Sequence, residues 1–388
     1  MKCNWTTKKL SEIAYINPRE SLGKGVVAKK VPMDKLKPFC RDIPEFVLEE
    51  YKGGTKFRNG DTIMARITPC LENGKIAKVS VLSDGEVGFG STEYIVFRAI
   101  DGVSDADFLY YLICSPLVRN PAIKSMVGSS GRQRVQTDVV ANLDIDLPPI
   151  EEQRKIGGLL KAIDDKIELN NAINNNLEQQ AKALYKDWFF DFSPFSTEGN
   201  LPNGWHLGTV GDIIQLHDSK RVPLSGSERD KMEKIYPYYG ATSLMDYVDN
   251  YLFDGIYLLL GEDGTVVDSL GFPILQYVYG QFWVNNHAHI ITGKEGFSVE
   301  ELYLFFSLTN IKSIVTGAVQ QKVSQQNLKK VPAIIPSKEA LSAFDDLIQP
   351  VFAQIRNLRD ENAHLADLRD TLLPRLMSGE LDVSNIEL

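Results

Sequence analysis

The sequence predicts an α+β protein, with two α+β domains separated by a long antiparallel two-helix coiled coil in a pseudo-twofold repeat. The first observation is an internal repeat, which indicates architecture before any single element does. Residues 131–136 lead into a strand pattern at residues 143–149, and similar segments recur 188 residues later at residues 319–324 and 331–337. The second observation is that a helical pattern of about forty residues follows each copy.

The two helical patterns share one seam. Seam residues recur at alternating spacings of four and three, which is the a/d pattern of a coiled coil. The first seam consists of Ile156, Leu160, Ile163, Ile167, Asn170, Asn174, Leu177, Ala181, Leu184 and Trp188. Adding 188 to each number gives the second seam, at Phe344, Ile348, Val351, Ile355, Leu358, Asn362, Leu365, Arg369, Leu372 and Leu376. The sequence therefore predicts two matching helices, each on the order of 60 Å long.

The order of the elements fixes the direction of the helices. Since each helix leads away from its own domain, an antiparallel pair buries both seams, and residue numbers across the seam sum to about 532. In this register Asn170 faces Asn362, and Asn174 faces Leu358. A polar seam residue costs stability but can fix the register, so Asn170, Asn174 and Asn362 are candidate register residues. The alternative is that each helix packs only on its own domain.

Within each domain, residue patterns predict strands joined by tight turns. Strand patterns occupy residues 61–81, 93–98 and 257–291, and short helices are predicted at residues 105–114 and 299–308. Glu262 and Asp263 stand between two glycines, which is typical of a hairpin turn. The predicted boundaries are residues 1–149 for the first domain, 150–192 for the first helical region, 193–337 for the second domain, 338–378 for the second helical region and 379–388 for a C-terminal tail.

The net charge of −9 bears directly on possible partners. Non-specific affinity for DNA comes mainly from neutralising phosphates, so an acidic chain should bind DNA weakly alone. Residues 1–149 carry a net charge of +3, whereas residues 193–337 carry −5. Either the chain does not bind DNA, or a basic partner supplies most of the phosphate contacts.

Common catalytic and cofactor motifs are absent from the sequence, so no catalytic residue and no cofactor is predicted. There is no phosphate-binding loop and no nucleophile elbow, and Gly88-Phe89-Gly90 does not continue into a dinucleotide-binding fingerprint. His287 and His289 are two apart on a strand, but no third ligand is evident, so no metal site is predicted. The four cysteines form no CxxC pair. Without a long apolar run or a signal-peptide pattern, we expect a cytoplasmic protein with no membrane contact.

Several segments together resemble the specificity subunit of type I restriction-modification systems. Residues 148–156, Pro-Pro-Ile-Glu-Glu-Gln-Arg-Lys-Ile, resemble the entry to the first conserved helix of that family. Residues 368–381, Leu-Arg-Asp-Thr-Leu-Leu-Pro-Arg-Leu-Met-Ser-Gly-Glu-Leu, are similar to its C-terminal signature. Residues 201–205, Leu-Pro-Asn-Gly-Trp, resemble the start of a recognition domain, and Trp5 begins the first domain similarly. The resemblance covers nearly the whole chain.

The resemblance implies a non-catalytic role in DNA recognition. Each domain would be a target-recognition domain that recognises one half of a bipartite site in double-stranded DNA, and the paired helices would set the spacer. Methyltransferase subunits, two copies being expected, would supply S-adenosylmethionine and the pocket for the flipped adenine. Motor-nuclease subunits would join them for restriction. The alternative from another class is a coiled-coil scaffold that joins two protein-binding domains and has no DNA role.

Candidate DNA-binding residues lie in the polar loop that precedes each helix. Arginine suits guanine, and asparagine or glutamine suits adenine, when base edges are contacted in the major groove. The first loop offers Lys124, Arg132, Gln133, Arg134 and Gln136. The second loop offers Gln320, Gln321, Lys322, Ser324, Gln325 and Asn327. The alternative is a pair of solvated loops with no contact to DNA.

Further candidates lie upstream of both loops. Residues 90–96 align with residues 284–290 at an offset of 194, and the second segment contributes Asn286. Arg66 and Lys75 belong to a glycine-containing hairpin pattern in the first domain. For the aligned segments a structural turn explains the pattern as well as a DNA contact does.

Overall fold

The computed structural model describes residues 4–195, 200–317 and 320–383. Two compact units are formed, one by Met1–Ala172 with Arg359–Leu388 and the other by Ile173–Leu358. The two predicted long helices are confirmed as Ile150–Phe189 and Lys338–Met377. Each long helix therefore contributes one half to each unit. Within the part of the chain that the structure describes, no helix is long and apolar enough to cross a membrane.

The first unit combines three small sheets with short helices. Its strands are Thr6–Lys9, Ala14–Ile16, Val27–Val31, Val47–Glu50, Thr55–Phe57, Thr62–Ala65, Ile76–Lys78, Gly88–Gly90, Tyr94–Ala99 and Asp144–Leu147. Its short α-helices are Leu10–Ile13, Ala106–Cys114, Pro116–Lys124 and Thr137–Ala141, with a 3-10 turn at Met33–Lys35. The described strands form one antiparallel pair, between the first and the last, and two four-stranded sheets.

The core of the first unit joins a sheet, a helix and the long helices. Thr62–Ala65 pairs antiparallel with Tyr94–Ala99, and both strands carry buried apolar side chains. Asp105 is the N-cap of helix Ala106–Cys114, and its carboxylate accepts hydrogen bonds from the backbone of residues 107 and 108. Its buried face shares one core with Ile156 of the first long helix and with the C-terminal turn of the second. The helix halves are thus part of the domain core.

The second unit repeats this plan with longer strands. Its strands are His206–Thr209, Ile214–Leu216, Tyr236–Tyr239, Leu244–Val248, Phe253–Gly261, Asp263–Gly264, Leu275–Val284, Ala288–Gly293, Gln321–Lys322 and Pro332–Ile335. Its short α-helices are Val210–Ile213, Gly226–Arg229, Val299–Leu308 and Gln325–Lys329, with 3-10 turns at Ser193–Phe195, Asp218–Lys220 and Lys312–Ile314. The described strands form one six-stranded sheet and two antiparallel pairs.

The predicted hairpin turn at Glu262 and Asp263 is wrong. Strand Phe253–Gly261 pairs instead with Leu275–Val284, so the turn between them lies further along the chain. Asp263–Gly264 is a short strand paired with Gln321–Lys322, which lies far away in sequence. A long-range backbone pairing has overridden the local turn preference of the glycines.

The long helices run antiparallel within each unit. In the first unit, Asn170 Nδ2 donates to Asn362 Oδ1 at 2.9 Å. In the second unit, the rings of Trp188 and Phe344 lie 5.4 Å apart between centroids. Both pairs have numbers that sum to 532, as the antiparallel register predicts. The alternative of two helices packed only on their own domains is therefore excluded, and the predicted α+β fold with an antiparallel helix pair is confirmed.

Candidate nucleic-acid interface

Each unit carries a small hairpin shortly before a long helix. Val127 and Arg134 exchange two backbone hydrogen bonds of 3.0 and 2.9 Å, and Thr316 and Lys322 exchange two of 2.9 and 2.8 Å. We call residues 127–134 the first hairpin, and we call residues 316–317 and 320–322, the described part of the equivalent segment, the second hairpin. Val319, which belongs to the predicted second loop, lies outside the described residues. In their described residues, the two polar loops predicted from the sequence repeat therefore share one backbone hydrogen-bond pattern.

Equivalent backbone bonds hold both hairpins. The N–H of Val135 donates to the carbonyl of Arg66 at 2.8 Å, and the N–H of Val323 donates to the carbonyl of Glu262 at 2.8 Å. The N–H groups of Arg66 and Glu262 in turn donate to the carbonyls of Glu93 and His287, at 2.9 and 2.8 Å respectively. Each of these acceptors directly precedes a strand, Tyr94–Ala99 or Ala288–Gly293. Three positions therefore correspond between the domains: Arg66 with Glu262, Glu93 with His287, and Arg134 with Lys322.

The tip of the first hairpin presents free polar groups. Gly128 and Gly131 have φ values of +135° and +74°, which favour glycine, and a side chain at Gly128 would also approach the Arg132 carbonyl to 3.0 Å. Arg132 is exposed, and Gln133 is half-buried. Neither side chain forms a hydrogen bond or ion pair with another described residue. The tip can therefore offer one guanidinium and one amide to an external ligand.

The base of the first hairpin is an ion-pair cluster. Arg134 Nη2 and Nε lie 2.7–3.0 Å from the carboxylate oxygens of Glu93, so the contact is bidentate. Arg66 Nε donates to the same carboxylate at 3.3 Å. The hydrogen bond from Arg134 and the charges of both arginines lower the pKa of Glu93, against the opposing effect of burial. One carboxylate thus holds two of the predicted DNA-binding arginines.

The second hairpin has different polar side chains at the same three positions. Glu262 occupies the position of Arg66, and it lies 3.6 Å from Nζ of Lys322. The main partner of Glu262 is Arg221, whose Nη1 donates at 2.6 Å. His287, at the position of Glu93, pairs instead with Asp263 at 2.6 Å. The hairpin cation is therefore held tightly in the first domain and loosely in the second.

A buried polar network lies behind the second hairpin. His289 is fully buried; its Nδ1 lies 2.6 Å from Asp218, and its Nε2 lies 2.8 Å from the carbonyl of Val323. Burial opposes ionisation of Asp218, but contacts with His289 and Arg221 give it a lowered pKa. The predicted DNA-binding residue Gln325 donates to Asp218 at 2.6 Å. Asp218 therefore positions Gln325 and supports the hairpin.

The carboxylates around His289 already have a cationic partner. Side-chain atoms of Asp218, Glu262 and His289 lie within 4.8 Å of one another, so the structure supplies two carboxylates that the sequence did not associate with this histidine. Arg221 Nη1 donates to Glu262 and also to the carbonyl of Ala288 at 2.8 Å. Because the guanidinium occupies the place where a cation would neutralise the carboxylates, the cluster works as a structural ion-pair network.

The remaining predicted DNA-binding residues fall into two groups. Lys124, Asn286, Gln320 and Gln321 are exposed. The others take part in local bonds: Lys75 donates to the Met33 carbonyl at 2.9 Å, Gln136 to the Ser125 carbonyl at 2.9 Å, and Asn327 to the Ile314 carbonyl at 3.3 Å, while Ser324 accepts from the backbone of Asn327 at 3.2 Å. The second group shapes the loops that carry the first group. Sequence reasoning did not identify Glu93, Asp218 or Arg221 as parts of this site, although Glu93 lies in the aligned segment.

The three predicted register residues lie in or beside the helix seam. Asn170 and Asn174 are buried, at 0% and 7% exposure, and Asn362 is half-buried. Asn170 Nδ2 donates to Glu361 at 2.8 Å as well as to Asn362. Asn362 Nδ2 donates to Asn171 at 2.9 Å. The seam of the first unit is thus interrupted by a small amide cluster.

The match of a family model to most of the chain decides its classification. Residues 3–179 and 202–362 match a model described as the type I restriction modification DNA specificity domain. The chain belongs to this family. It is a type I restriction-modification DNA specificity subunit with two recognition domains, one in each compact unit.

Other specificity subunits are similar over most of their length. The type I restriction enzyme MjaIX specificity subunit of Methanocaldococcus jannaschii is 26% identical over 320 residues, which cover 74% of this chain and 71% of the relative. The type I restriction enzyme HindI specificity subunit of Haemophilus influenzae is 24% identical, and the match covers 84% of this chain and 87% of the relative. The crystal structure of the type I S subunit from M. genitalium has a TM-score of 0.56 at 16% identity, with 96% of both chains covered. The specificity subunit of M. genitalium therefore has the same fold.

Proposed function

We propose that each recognition domain contacts one half of a bipartite double-stranded DNA site through its hairpin. The observation that supports this proposal is the repetition of one hairpin, held by equivalent backbone bonds, before both long helices. The scaffold is repeated while the side chains differ. Different side chains on one scaffold suit two different half-sites, because base edges are distinguished by the donors and acceptors that face them.

The exposed hairpin side chains supply the contacts to bases. Arg132 and Gln133 in the first domain, and Gln320 and Gln321 in the second, form no side-chain hydrogen bond with another described residue. An arginine can donate two bonds to guanine, and a glutamine can bond adenine through both its oxygen and its nitrogen. Lys124, Arg134 and Lys322 are cations that suit phosphate, and phosphate contacts position a protein on DNA.

The net negative charge of the chain supports separate roles for this chain and its partners. A chain of net charge −9 gains little binding affinity from contacts with phosphates when it is alone. We therefore assign most phosphate contacts, S-adenosylmethionine and adenine flipping to two methyltransferase subunits, and DNA translocation and cleavage to motor-nuclease subunits. This chain contributes no catalytic residue and no cofactor, and it acts in the cytoplasm, where the DNA is.

The long helices set the distance between the half-sites. We assign recognition to residues 1–149 and 193–337, and spacing together with methyltransferase docking to residues 150–192 and 338–378, with residues 379–388 as a tail. Asn170, Asn174 and Asn362 would fix the register of the two helices. An amide cluster in an apolar seam disfavours shifted pairings, because a shift would leave the amides facing apolar side chains.

Hairpin variants test the assignment of one half-site to each domain. We expect Arg132→Ala with Gln133→Ala to change or relax one half of the methylated sequence only. Gln320→Ala with Gln321→Ala should affect only the other half. The measurement is a map of methylated adenines in a methylation-deficient host that expresses each variant with its methyltransferase. Lys52→Ala, at an exposed lysine that belongs to neither hairpin, is the control and should leave the motif unchanged. A motif unaffected by both pairs of substitutions would refute the assignment.

A further inference from the structure

Arg134 is the best-held cation among the predicted DNA-binding residues. Its Nε and Nη2 contact both oxygens of Glu93 at 2.7–3.0 Å, a bidentate geometry that is among the stronger ion-pair arrangements. The same carboxylate accepts a hydrogen bond from Arg66 Nε. In this state the carboxylate of Glu93 engages two nitrogens of Arg134 and one nitrogen of Arg66, so Arg134 is the more restrained of the two cations.

The cluster is nevertheless within reach of an external ligand. The exposed fractions of the side chains are 43% for Arg134, 34% for Arg66 and 23% for Glu93. Arg134 stands at the base of the hairpin whose tip carries Arg132. DNA that contacts the tip would therefore come close to the ion-pair cluster.

The second domain shows what the same site looks like without this restraint. Lys322 corresponds to Arg134, and its side chain is 53% exposed and 3.6 Å from the nearest carboxylate oxygen of Glu262. Glu262 is already bound by Arg221 at 2.6 Å. The position of Glu93 is occupied by His287, which pairs with Asp263. The hairpin cation of the second domain is thus only loosely paired, whereas Arg134 of the first domain is held in a tight ion pair.

We propose that Glu93 is a specificity-determining residue of the first domain, which withholds Arg134 and Arg66 from DNA that lacks the correct half-site. The inference rests on the proposed DNA contact of the first hairpin. Phosphate alone would have to replace the carboxylate that holds Arg134 through two nitrogens and Arg66 through one, so DNA of arbitrary sequence gains less from them than from unpaired guanidinium groups. A half-site that offers a base amino group, from cytosine N4 or adenine N6, gives the displaced carboxylate a donor of its own. Both arginines are then released together, and only on that sequence.

Glu93→Gln tests the proposal because it removes the negative charge and keeps the size of the side chain. We would measure binding of the complex between the full chain and its methyltransferase to a random-sequence duplex and to a duplex carrying the methylated motif. For the random duplex we expect roughly 3- to 10-fold tighter binding at low salt. The slope of log affinity against log salt concentration should become steeper by the amount that about one added phosphate contact gives. The affinity ratio between the two duplexes should fall, and methylation should spread to sites altered in one half.

Two further variants separate this role from a general charge effect. Glu49→Gln also removes one negative charge, from an exposed ion pair with Lys30 in strand Val47–Glu50, outside both hairpins and both long helices, and it should leave both affinities unchanged. Arg134→Gln should weaken binding to the motif duplex while leaving binding to the random duplex unchanged, because Arg134 is withheld from the latter. This second expectation holds even if Glu93→Gln fails to fold.

The outcomes distinguish the proposal from the function on which it rests. If the wild-type complex binds DNA in a salt-dependent way, and Glu93→Gln and Glu49→Gln have equal effects, the role of Glu93 would be overturned and DNA recognition would remain intact. Equal losses for both duplexes with Arg134→Gln would also overturn it, since Arg134 would then be an ordinary phosphate contact. A complex that binds the two duplexes with equal affinity would overturn the proposed function and this inference together.

Discussion

Glu301 is a buried carboxylate in the second unit with an altered protonation equilibrium. Its Oε2 accepts a hydrogen bond from the backbone of Ser298 at 2.8 Å, at the start of helix Val299–Leu308. Its Oε1 has no hydrogen-bond partner in the described part of the chain, and the side chain is fully buried. Burial, with a smaller contribution from the charge of Asp345, raises the pKa of Glu301 to about 8.

The raised pKa predicts a pH-dependent stability that Glu301→Gln should remove. Between the ordinary value of 4.5 and about 8, the folded state keeps a proton that the unfolded state releases, so the free energy of unfolding falls as pH rises. Glutamine keeps the acceptor for Ser298 and does not titrate. We expect the free energy of unfolding of the variant to exceed that of wild type at pH 8 by on the order of 2–4 kcal/mol, and to equal it near pH 4.5.

Denaturant unfolding at several pH values checks this prediction. Glu339→Gln, at an exposed carboxylate in the first turn of the second long helix, is the matched control and should follow wild type. If the Glu301→Gln variant and wild type lost stability equally with rising pH, the buried carboxylate would not be the cause.

The sequence allowed the loop residues to be predicted, but not their partners. Arg134 stands out because two glycines and polar neighbours precede a strand pattern. Its partner Glu93 is 41 positions away, and the partner of Gln325, Asp218, is 107 positions away. No local pattern connects such pairs, because they meet only when strands from separate parts of the chain are joined in one sheet. The repeat aligned Glu93 with His287, but it did not place either residue beside a hairpin.

At the level of elements, the helix seam was the most predictable feature. Periodicity fixes which face of a helix is buried, and the repeat fixed the pairing of Asn170 with Asn362. The strand at Asp263–Gly264 was missed because glycine and acidic residues favour turns, while the edge that it pairs with lies more than fifty residues later. Elements formed by local periodicity are therefore easier to predict than those formed by remote pairing.

The amide cluster in the seam should lower stability and narrow the choice of register. We expect Asn170→Leu with Asn362→Leu to raise the free energy of unfolding by about 1–3 kcal/mol, because Asn170 Oδ1 is buried with no hydrogen-bond partner among the described residues and leucine fits an apolar seam. The double variant should also methylate sites with more than one spacer length. Unfolding curves and a methylation map measure the two effects. If neither stability nor spacing changes, the amides do not fix the register.

At the level of the whole molecule, the length of the two long helices should determine the length of the spacer between the half-sites. We expect that four residues inserted after Asn174 and four after Asn357, which keep the antiparallel pairing, lengthen the helices by about 6 Å. This length corresponds to roughly one to two base-pair steps of DNA. The methylated motif should keep both half-sites and gain a longer spacer. The same insertion in one helix only is the control and should impair methylation. An unchanged spacer in the double insertion would contradict the claim that helix length determines spacer length.

The central claim is that this chain determines which DNA sequence its partners modify. The most direct measurement is a genome-wide map of methylated adenines in a methylation-deficient host that expresses the chain with its methyltransferase, compared with the methyltransferase alone. We predict one split motif, with two defined halves and a fixed spacer, that is present only when the chain is expressed. A stable complex of the two proteins that yields no new motif, or the same motif without this chain, would contradict the claim.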